Sequence, residues 1–467
     1  MDILNKNACE ISRLIRNKEI SVVELTIASL ERIEKRKDIN AFITINSAAV
    51  EMAEGVQKRI DSGELDSSIM GVPMVLKDNI STKGIRTTCA SKILENYIPP
   101  YNATAYERLL EKGAILLGKA NMDEFGMGSS TENSFFGATK NPYDKDKVAG
   151  GSSGGCCAAV SDNQAFYALG TDTGGSIRQP SSFCGLYGLK PTYGAVSRYG
   201  LIAYASSFDT IGPIGRSIED VKNVFEIIRG VDIRDNTTAE VNINRKKKIR
   251  VGVLKTPYKA DSDIRLALDR VASRLSEMGF EVQEVEMEYL DYVTEAYYII
   301  AFAQASSNLS RYDGVRYGFR SFEKTLDEMM CASRSEGFGD EVRRRILMGS
   351  FVLSSKCYER YYNQAQRVRR LIYNSYKKLF DSVDALILPV SPTTAYNLGE
   401  KVNEPLKMYA EDCYCALANL TGAPALAIPC GKNTNGMPVG LQLMGNHFDE
   451  GTLFALANAL REDGYDE

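Results

Sequence analysis

The chain of 467 residues contains no tryptophan, a single histidine and no apolar run long enough to cross a bilayer. One imidazole, His447, and ten cysteines without a Cys-x-x-Cys pair argue against a structural zinc site, Cys413 and Cys415 being the nearest approach to ligand spacing. Positive charge is not in excess either. With 56 Lys and Arg against 60 Asp and Glu, the net charge of −4 gives no global field for gripping nucleic-acid phosphates, so any such role would run through a partner. The one basic cluster, Arg245 to Lys248, reads as the solvated start of the apolar run Ile249 to Leu254. Met1 to Ile15 lacks a basic stretch followed by an apolar one, so no secretory signal is expected. Scattered cysteines, with Cys156 and Cys157 adjacent, suit buried thiols in a reducing cytoplasm. What is present is ordinary for a soluble protein: 44% hydrophobic and 25% charged residues, enough for a large core.

The length suggests two or three packing units, or one large α/β domain with insertions. Ser21 to Glu24 has the form of a capping box and predicts an amphipathic helix running toward Lys37, within a helical lead-in over residues 1–65. Short apolar runs at Val72 to Leu76, Ala114 to Leu117, Val251 to Leu254, Ala385 to Leu388 and Ala425 to Ile428 read as strands, the last two stopped by prolines. A helix is expected near Ile264 to Met278. Polar composition between Arg229 and Arg250 predicts a seam between a catalytic part, 66–230, and a remainder, 231–467, with a helical insertion. Alternation of strands and helices predicts an α/β fold with a large, mainly parallel sheet.

Chemistry concentrates in the stretch richest in glycine and serine. Gly150, Gly151, Ser152, Ser153, Gly154 and Gly155 precede small helix formers, an arrangement that turns the backbone tightly into a helix N-terminus with free N–H groups. Farther on, the string Gly170 to Arg178 (GTDTGGSIR) follows an apolar run, Ala165 to Leu169. Its glycine pair lets consecutive N–H groups converge on one point, as an oxyanion hole requires, with Thr173, Gly174, Gly175 and Ser176 as the donors. A serine nucleophile needs a base, and histidine is nearly unavailable. A lysine serves if burial lowers its pKa, and Lys77, at the end of the run Val72 to Leu76, is the best placed. Judged alone, a lysine there reads as a solvated strand end, and Asp172 with Arg178 as a structural ion pair.

Together, the strings GVPMVLKDN, GGSSGG and GTDTGGSIR, in this order, resemble the amidase signature family. The resemblance implies a large mixed central sheet flanked by helices and a Ser-cisSer-Lys relay. In it Ser176 is the nucleophile, Ser152 the cis-peptide serine that passes the proton and Lys77 the base; Ser153, Asp172 and Arg178 support them. The segment Phe183 to Ile214, with NMDEFGMGSSTENSFFG near residue 121, VRRRILMG at Val342 and GAPALAIPCG at Gly422, is similar to the branch that supplies the amidase-type subunit of bacterial tRNA-dependent Glu/Asp amidotransferases. That branch implies glutamine as substrate, with Arg345 and Asp412 reading its α-carboxylate and α-ammonium and Tyr297 or Tyr298 lining the pocket. It also implies two further subunits, B and C, in a heterotrimer, no cofactor in this chain, ATP and Mg2+ used by a partner subunit, and tRNA bound mainly through that partner. Cys156 and Cys157 stand where Ser or Ala is usual, Ala149 replaces a proline, and the sequence stops somewhat early, at Glu467, with no final helix expected after Leu460.

Three other readings compete. A stand-alone amidase would use the same relay on small carboxamides without partners. A nucleophile elbow at Gly150 to Gly154 with His447 as base would need a strand before it, which Asp144 to Lys147 does not supply. A phosphate-binding scaffold would be expected to carry a GxxxxGK[ST] string, which the glycine-rich region lacks.

Overall fold

The computed structural model describes residues 3–241 and 248–462, so Arg245 to Lys247 of the basic cluster lie outside the described residues. Eleven strands form one sheet. They are Phe42–Ile45 (β1), Pro73–Lys77 (β2), Ile115–Ala120 (β3), Tyr167–Asp172 (β4), Tyr187–Lys190 (β5), Thr210–Gly215 (β6), Arg250–Leu254 (β7), Glu281–Val285 (β8), Ala385–Pro389 (β9), Ala425–Lys432 (β10) and Pro438–Gly445 (β11). Their order across the sheet is β1-β3-β2-β4-β6-β5-β10-β11-β9-β7-β8.

The sheet is mixed rather than mainly parallel. β3, β2 and β4 run parallel, as do β9, β7 and β8, but β6, β5, β10 and β11 between them pair antiparallel. The antiparallel middle escapes a reading by alternation because β5 and β6 are Gly- and Pro-containing segments, YGLK and TIGPIG, in a loop-like stretch. Side chains alternate across the sheet as strand geometry demands. Leu386 and Leu388 face one core with Tyr376 and Ile300, whereas Ala385 and Ile387 face the other with Val271 and Leu443.

Local signals explain most element ends. Ser21 caps the helix Val22–Lys35 by accepting from Val23 N and Glu24 N at 3.2 and 3.5 Å, so the capping serine is present and the helix stops two residues short of Lys37. Pro429 does not end β10; the pairing with β5 stops at Ala427, and the register with β11 shifts between Pro429 and Lys432, so the missing N–H is absorbed at an irregularity. Between β8 and β9 come the helices Val293–Leu309, Leu326–Gly337, Asp340–Leu353 and Gln364–Leu379, which form a layer against the sheet. Among the described residues no helix is long and apolar enough to cross a membrane. The C-terminal ends of β2 and β4, adjacent and parallel, bring Lys77 and Asp172 to the same edge, where crevices outside strand carboxyl ends form.

Candidate active site

Lys77 is the last residue of β2 and is fully buried. Its Nζ donates to Ser152 Oγ at 2.8 Å and to Thr171 O at 3.3 Å. Burial lowers its pKa to about 8, against the opposing fields of buried groups that include Asp123 and Asp172. Two thiols near it, Cys156 and Cys157, are themselves pushed up by burial, Cys156 to about 12, and so lend no negative charge near neutrality. The Gly151–Ser152 peptide is cis. Ser152 precedes the helix Gly154–Ser161, and Ser153 N donates to Ser176 O at 3.1 Å, tying the two glycine-rich loops together. Ser153 Oγ donates to Thr171 O at 3.2 Å. The Ser176 hydroxyl carries no hydrogen bond among the described residues and keeps 7% of its surface, whereas Lys77 keeps none.

Asp172 and Arg178 brace this loop. The guanidinium meets the carboxylate through two contacts of 3.0 Å, and Arg178 also donates to Gln442, Asn419 and Cys415 O. Burial alone would raise the Asp172 pKa, but Arg178 outweighs it and holds the carboxyl well below the usual range. Asp172 also accepts from Gly175 N at 2.9 Å and Ile177 N at 3.2 Å. Of the expected donors, Gly175 N–H is held by Asp172, while the N–H groups of Thr173, Gly174 and Ser176 have no partner among the described residues. Gly175 is glycine for another reason, since its φ is +133° and a Cβ would lie 2.7 Å from Cys415 Cβ. A Cβ on Gly174 would lie 2.2 Å from the Tyr297 hydroxyl.

Arg345 and Asp412 lie beside that loop. Arg345, on the helix Asp340–Leu353, is buried; its Nε donates to Glu341 at 2.7 Å and its Nη1 to Tyr204 Oη at 2.7 Å, leaving Nη2 without a partner among the described residues. Four aromatic rings surround the guanidinium: Tyr204, Tyr298, Phe302 and Tyr409. Asp412 accepts from Tyr298 Oη at 2.5 Å, and burial pushes its pKa up to about 7. Both tyrosines left open by the sequence have places here, Tyr297 against the glycine pair and Tyr298 on Asp412.

A match to the Amidase family model covers residues 24–454. The chain belongs to the amidase family. Over 483 residues it is 48% identical to the A subunit of a Glutamyl-tRNA(Gln) amidotransferase of Lachnoclostridium phytofermentans, covering 99% of this chain and 98% of that one. A crystal structure of the corresponding Glutamyl-tRNA(Gln) amidotransferase chain from Thermotoga maritima, again the A subunit, superposes with a TM-score of 0.82 at 37% identity, covering 99% and 96% of the two chains. Native peptide amidase from Stenotrophomonas maltophilia superposes at 0.84 with 28% identity, covering 98% and 97%. The amidase fold is thus shared by an amidotransferase A subunit and a peptide amidase.

Other residues of this amidase site were not singled out as chemical groups in the sequence, although Asp123, Thr131 and Asn133 lie in the string quoted near residue 121. Asp123 N donates to Ser152 O at 3.3 Å, and its carboxyl, pushed up to about 6 by burial, accepts from Thr131 N and Asn133 N. Gln179 accepts from Gly151 N at 2.8 Å, and Thr131 Oγ1 donates to Gly150 O. Short polar side chains in loops look solvated in sequence; only the fold brings them beneath the serines.

The elbow reading fails on geometry. No strand leads directly into Gly150, where Lys147 and Val148 make only isolated bridges, and the His447 ring bonds Thr421 O at 2.8 Å, packed beside Tyr373 and Tyr376. Cys415, of the spaced cysteine pair, donates its thiol to Val390 O and packs against Gly175. Substitution of His447 by Gln should leave amide turnover within about threefold, as expected when no imidazole joins proton transfer; a thousandfold loss in steady-state rate would restore histidine to the mechanism.

Proposed function

We propose that this chain is the glutamine-hydrolysing subunit of a tRNA-dependent amidotransferase, working by a Ser176–Ser152–Lys77 relay. Neutral Lys77 accepts a proton from Ser152 as Ser152 takes that of Ser176, and Ser176 Oγ attacks the carboxamide carbon. Negative charge on the former carbonyl oxygen is met by the N–H groups of Thr173, Gly174 and Ser176. The proton returns through Ser152 to the leaving nitrogen, ammonia departs, and water attacks the glutamyl ester by the same relay to release glutamate. The observation that carries the reading is the fully buried Lys77 amine at 2.8 Å from Ser152 Oγ, since burial is what leaves a lysine free to act as base.

Glutamine as the amide is supported by Arg345 and Asp412. Arg345 offers an unspent Nη2 to a carboxylate, Asp412 an acceptor to an ammonium, and Tyr298 stands between them. Replacing Asp412 by Asn keeps the size and the Tyr298 contact but removes the charge. KM for glutamine should rise about ten- to a hundredfold, the worth of a charge-assisted hydrogen bond, while a primary amide without an α-amine stays within about threefold. Equal losses on both substrates would remove Asp412 from ammonium recognition.

Assembly with two further subunits, B and C, into a heterotrimer that amidates mischarged Glu-tRNA(Gln) is supported by the full-length likeness to the A subunits of Glutamyl-tRNA(Gln) amidotransferases. ATP and Mg2+ belong to the partner's activation of the acyl group, and tRNA to the partner's surface, consistent with the net charge of −4 here. Ammonia is useful only if it reaches an activated acyl group, so hydrolysis should be slow alone and faster with partners, ATP and mischarged tRNA, through a state that partner contacts favour. Ammonia release measured for the isolated chain, for the assembled subunits and for the loaded assembly tests this. Equal rates in all three with good turnover of simple amides would leave a stand-alone amidase.

A further inference from the structure

The register of β4 and β6 pairs Asp172 with Thr210, so the next residues outward, Thr173 and Asp209, face each other just beyond the sheet. Thr173 belongs to the candidate oxyanion loop. Its Oγ1 donates to Asp209 Oδ1 at 2.6 Å, and both residues are buried. The Asp209 carboxylate is otherwise spent on its own turn, accepting from Tyr204 N at 3.0 Å and Ala205 N at 3.2 Å. Thr173 is therefore its one hydrogen-bond partner outside that turn among the described residues. The other end of the turn is Tyr204, whose hydroxyl accepts from Arg345 Nη1. Phe208, inside the turn, packs 5.4 Å from Tyr297, whose hydroxyl sits over Gly174.

We propose that Asp209 is a positioning residue for acyl transfer. Through Thr173 Oγ1 it fixes the oxyanion loop, and through the 204–209 turn it joins that loop to Arg345. The first half needs only Ser176 as nucleophile; the second rests on Arg345 as the anchor of the glutamine carboxylate. The chemistry calls for a carboxylate, because three donors converge on two oxygens. An asparagine, whichever way its amide lies, turns an N–H toward a donor and loses one end of the tie.

Asp209→Asn and Thr173→Val should each lower kcat for glutamine about ten- to a hundredfold with KM moving less than about threefold, the split expected when a group acts on the transition state and not on binding. The double variant should be no slower than the slower single one, because both cut the same tie. Thr173→Ser, which keeps the hydroxyl, should restore the rate to within about threefold of wild type. Sulfonylation of Ser176 by phenylmethylsulfonyl fluoride gives a readout free of the glutamine pocket: Ser176 Oγ bonds to sulfur, fluoride leaves, and the hydroxyl proton passes through Ser152 to Lys77. Both variants should slow this labelling at least about tenfold. Additive losses, a raised KM at unchanged kcat, or unchanged labelling would overturn the proposal. A wild-type chain that is labelled at Ser176 yet leaves glutamine intact even when assembled with its partner subunits, ATP and mischarged tRNA refutes the glutamine reading alone, and the labelling rates then decide for Asp209. Should Asp209→Asn fail to fold, the contrast between Thr173→Val and Thr173→Ser decides.

Discussion

Replacing Ser176 by alanine is expected to lower amide hydrolysis by about four to six orders of magnitude, the scale seen when a serine hydrolase loses its nucleophile. Nothing else at the site can substitute. Ser152 is the proton carrier on Lys77 and is 1% exposed, and Ser153 is fully buried with its Oγ engaged with Thr171 O, so neither hydroxyl is as open to a substrate as that of Ser176. Stability should hardly change. The Ser176 hydroxyl has no hydrogen bond among the described residues and borders the small opening of the site, so its removal leaves no buried group unpaired, and the midpoint of thermal unfolding should move by no more than about 2 °C. The loop itself stays braced by Asp172 and Arg178, which do not touch the lost atom. Ammonia release and calorimetry on the same preparation check both halves. Full residual activity would remove Ser176 as nucleophile; lost activity with a collapsed melting transition would make the serine structural.

Much of this site could be read from sequence because its parts are constrained in different ways. Lys77 ends a run of apolar residues, and such a run must be buried when its strand has neighbours on both sides, as β2 has in β3 and β4. The glycine pair before Ser176 marks a place where backbone and neighbouring side chains crowd, the neighbours being Tyr297 and Cys415. What escaped depends on register and on distant contacts. Asp209 gains its importance only because Thr210 pairs with Asp172, and Asp123 only because its loop folds beneath Ser152. Nothing local reveals, likewise, that Asp172 turns back to take the Gly175 N–H.

The same limits apply to the sheet. β8, Glu281–Val285, has only two apolar residues, Val282 and Val285, among Glu281, Gln283 and Glu284 at an exposed edge, and its polar residues give it the look of a surface loop. β1, Phe42–Ile45, is a four-residue edge strand within the segment read as a helical lead-in. Both strands owe their structure to one neighbour each, β7 and β3, and a short edge strand carries little signal of its own. The helix Val293–Leu309 is apolar nearly all round because the sheet covers one side and neighbouring helices the other, so its pocket-lining tyrosines, Tyr297 and Tyr298, sit among core residues and do not stand out.

Exchange of Lys77 for arginine should cost about a hundred- to ten-thousandfold in rate, because arginine stays protonated at any working pH and cannot accept the proton of Ser152. Alanine should be nearly as damaging, having no basic group. The wild-type enzyme carries a further signature. With the amine lowered to about 8 by burial, the neutral fraction grows as pH rises, so kcat/KM for a simple primary amide should climb tenfold per pH unit below about 8 and level off above it. Glutamine adds a second ionisation, because Asp412, raised to about 7, must lose its proton before it can hold an ammonium. Both ionisations push the same way, so the glutamine profile should fall more steeply than that of the simple amide below about 7. Asp412→Asn should remove the extra steepness and leave the limb near 8. Turnover by Lys77→Arg at the wild-type rate, or a profile flat from pH 6 to about 9 in both substrates, would mean that the proton leaves Ser176 by another route.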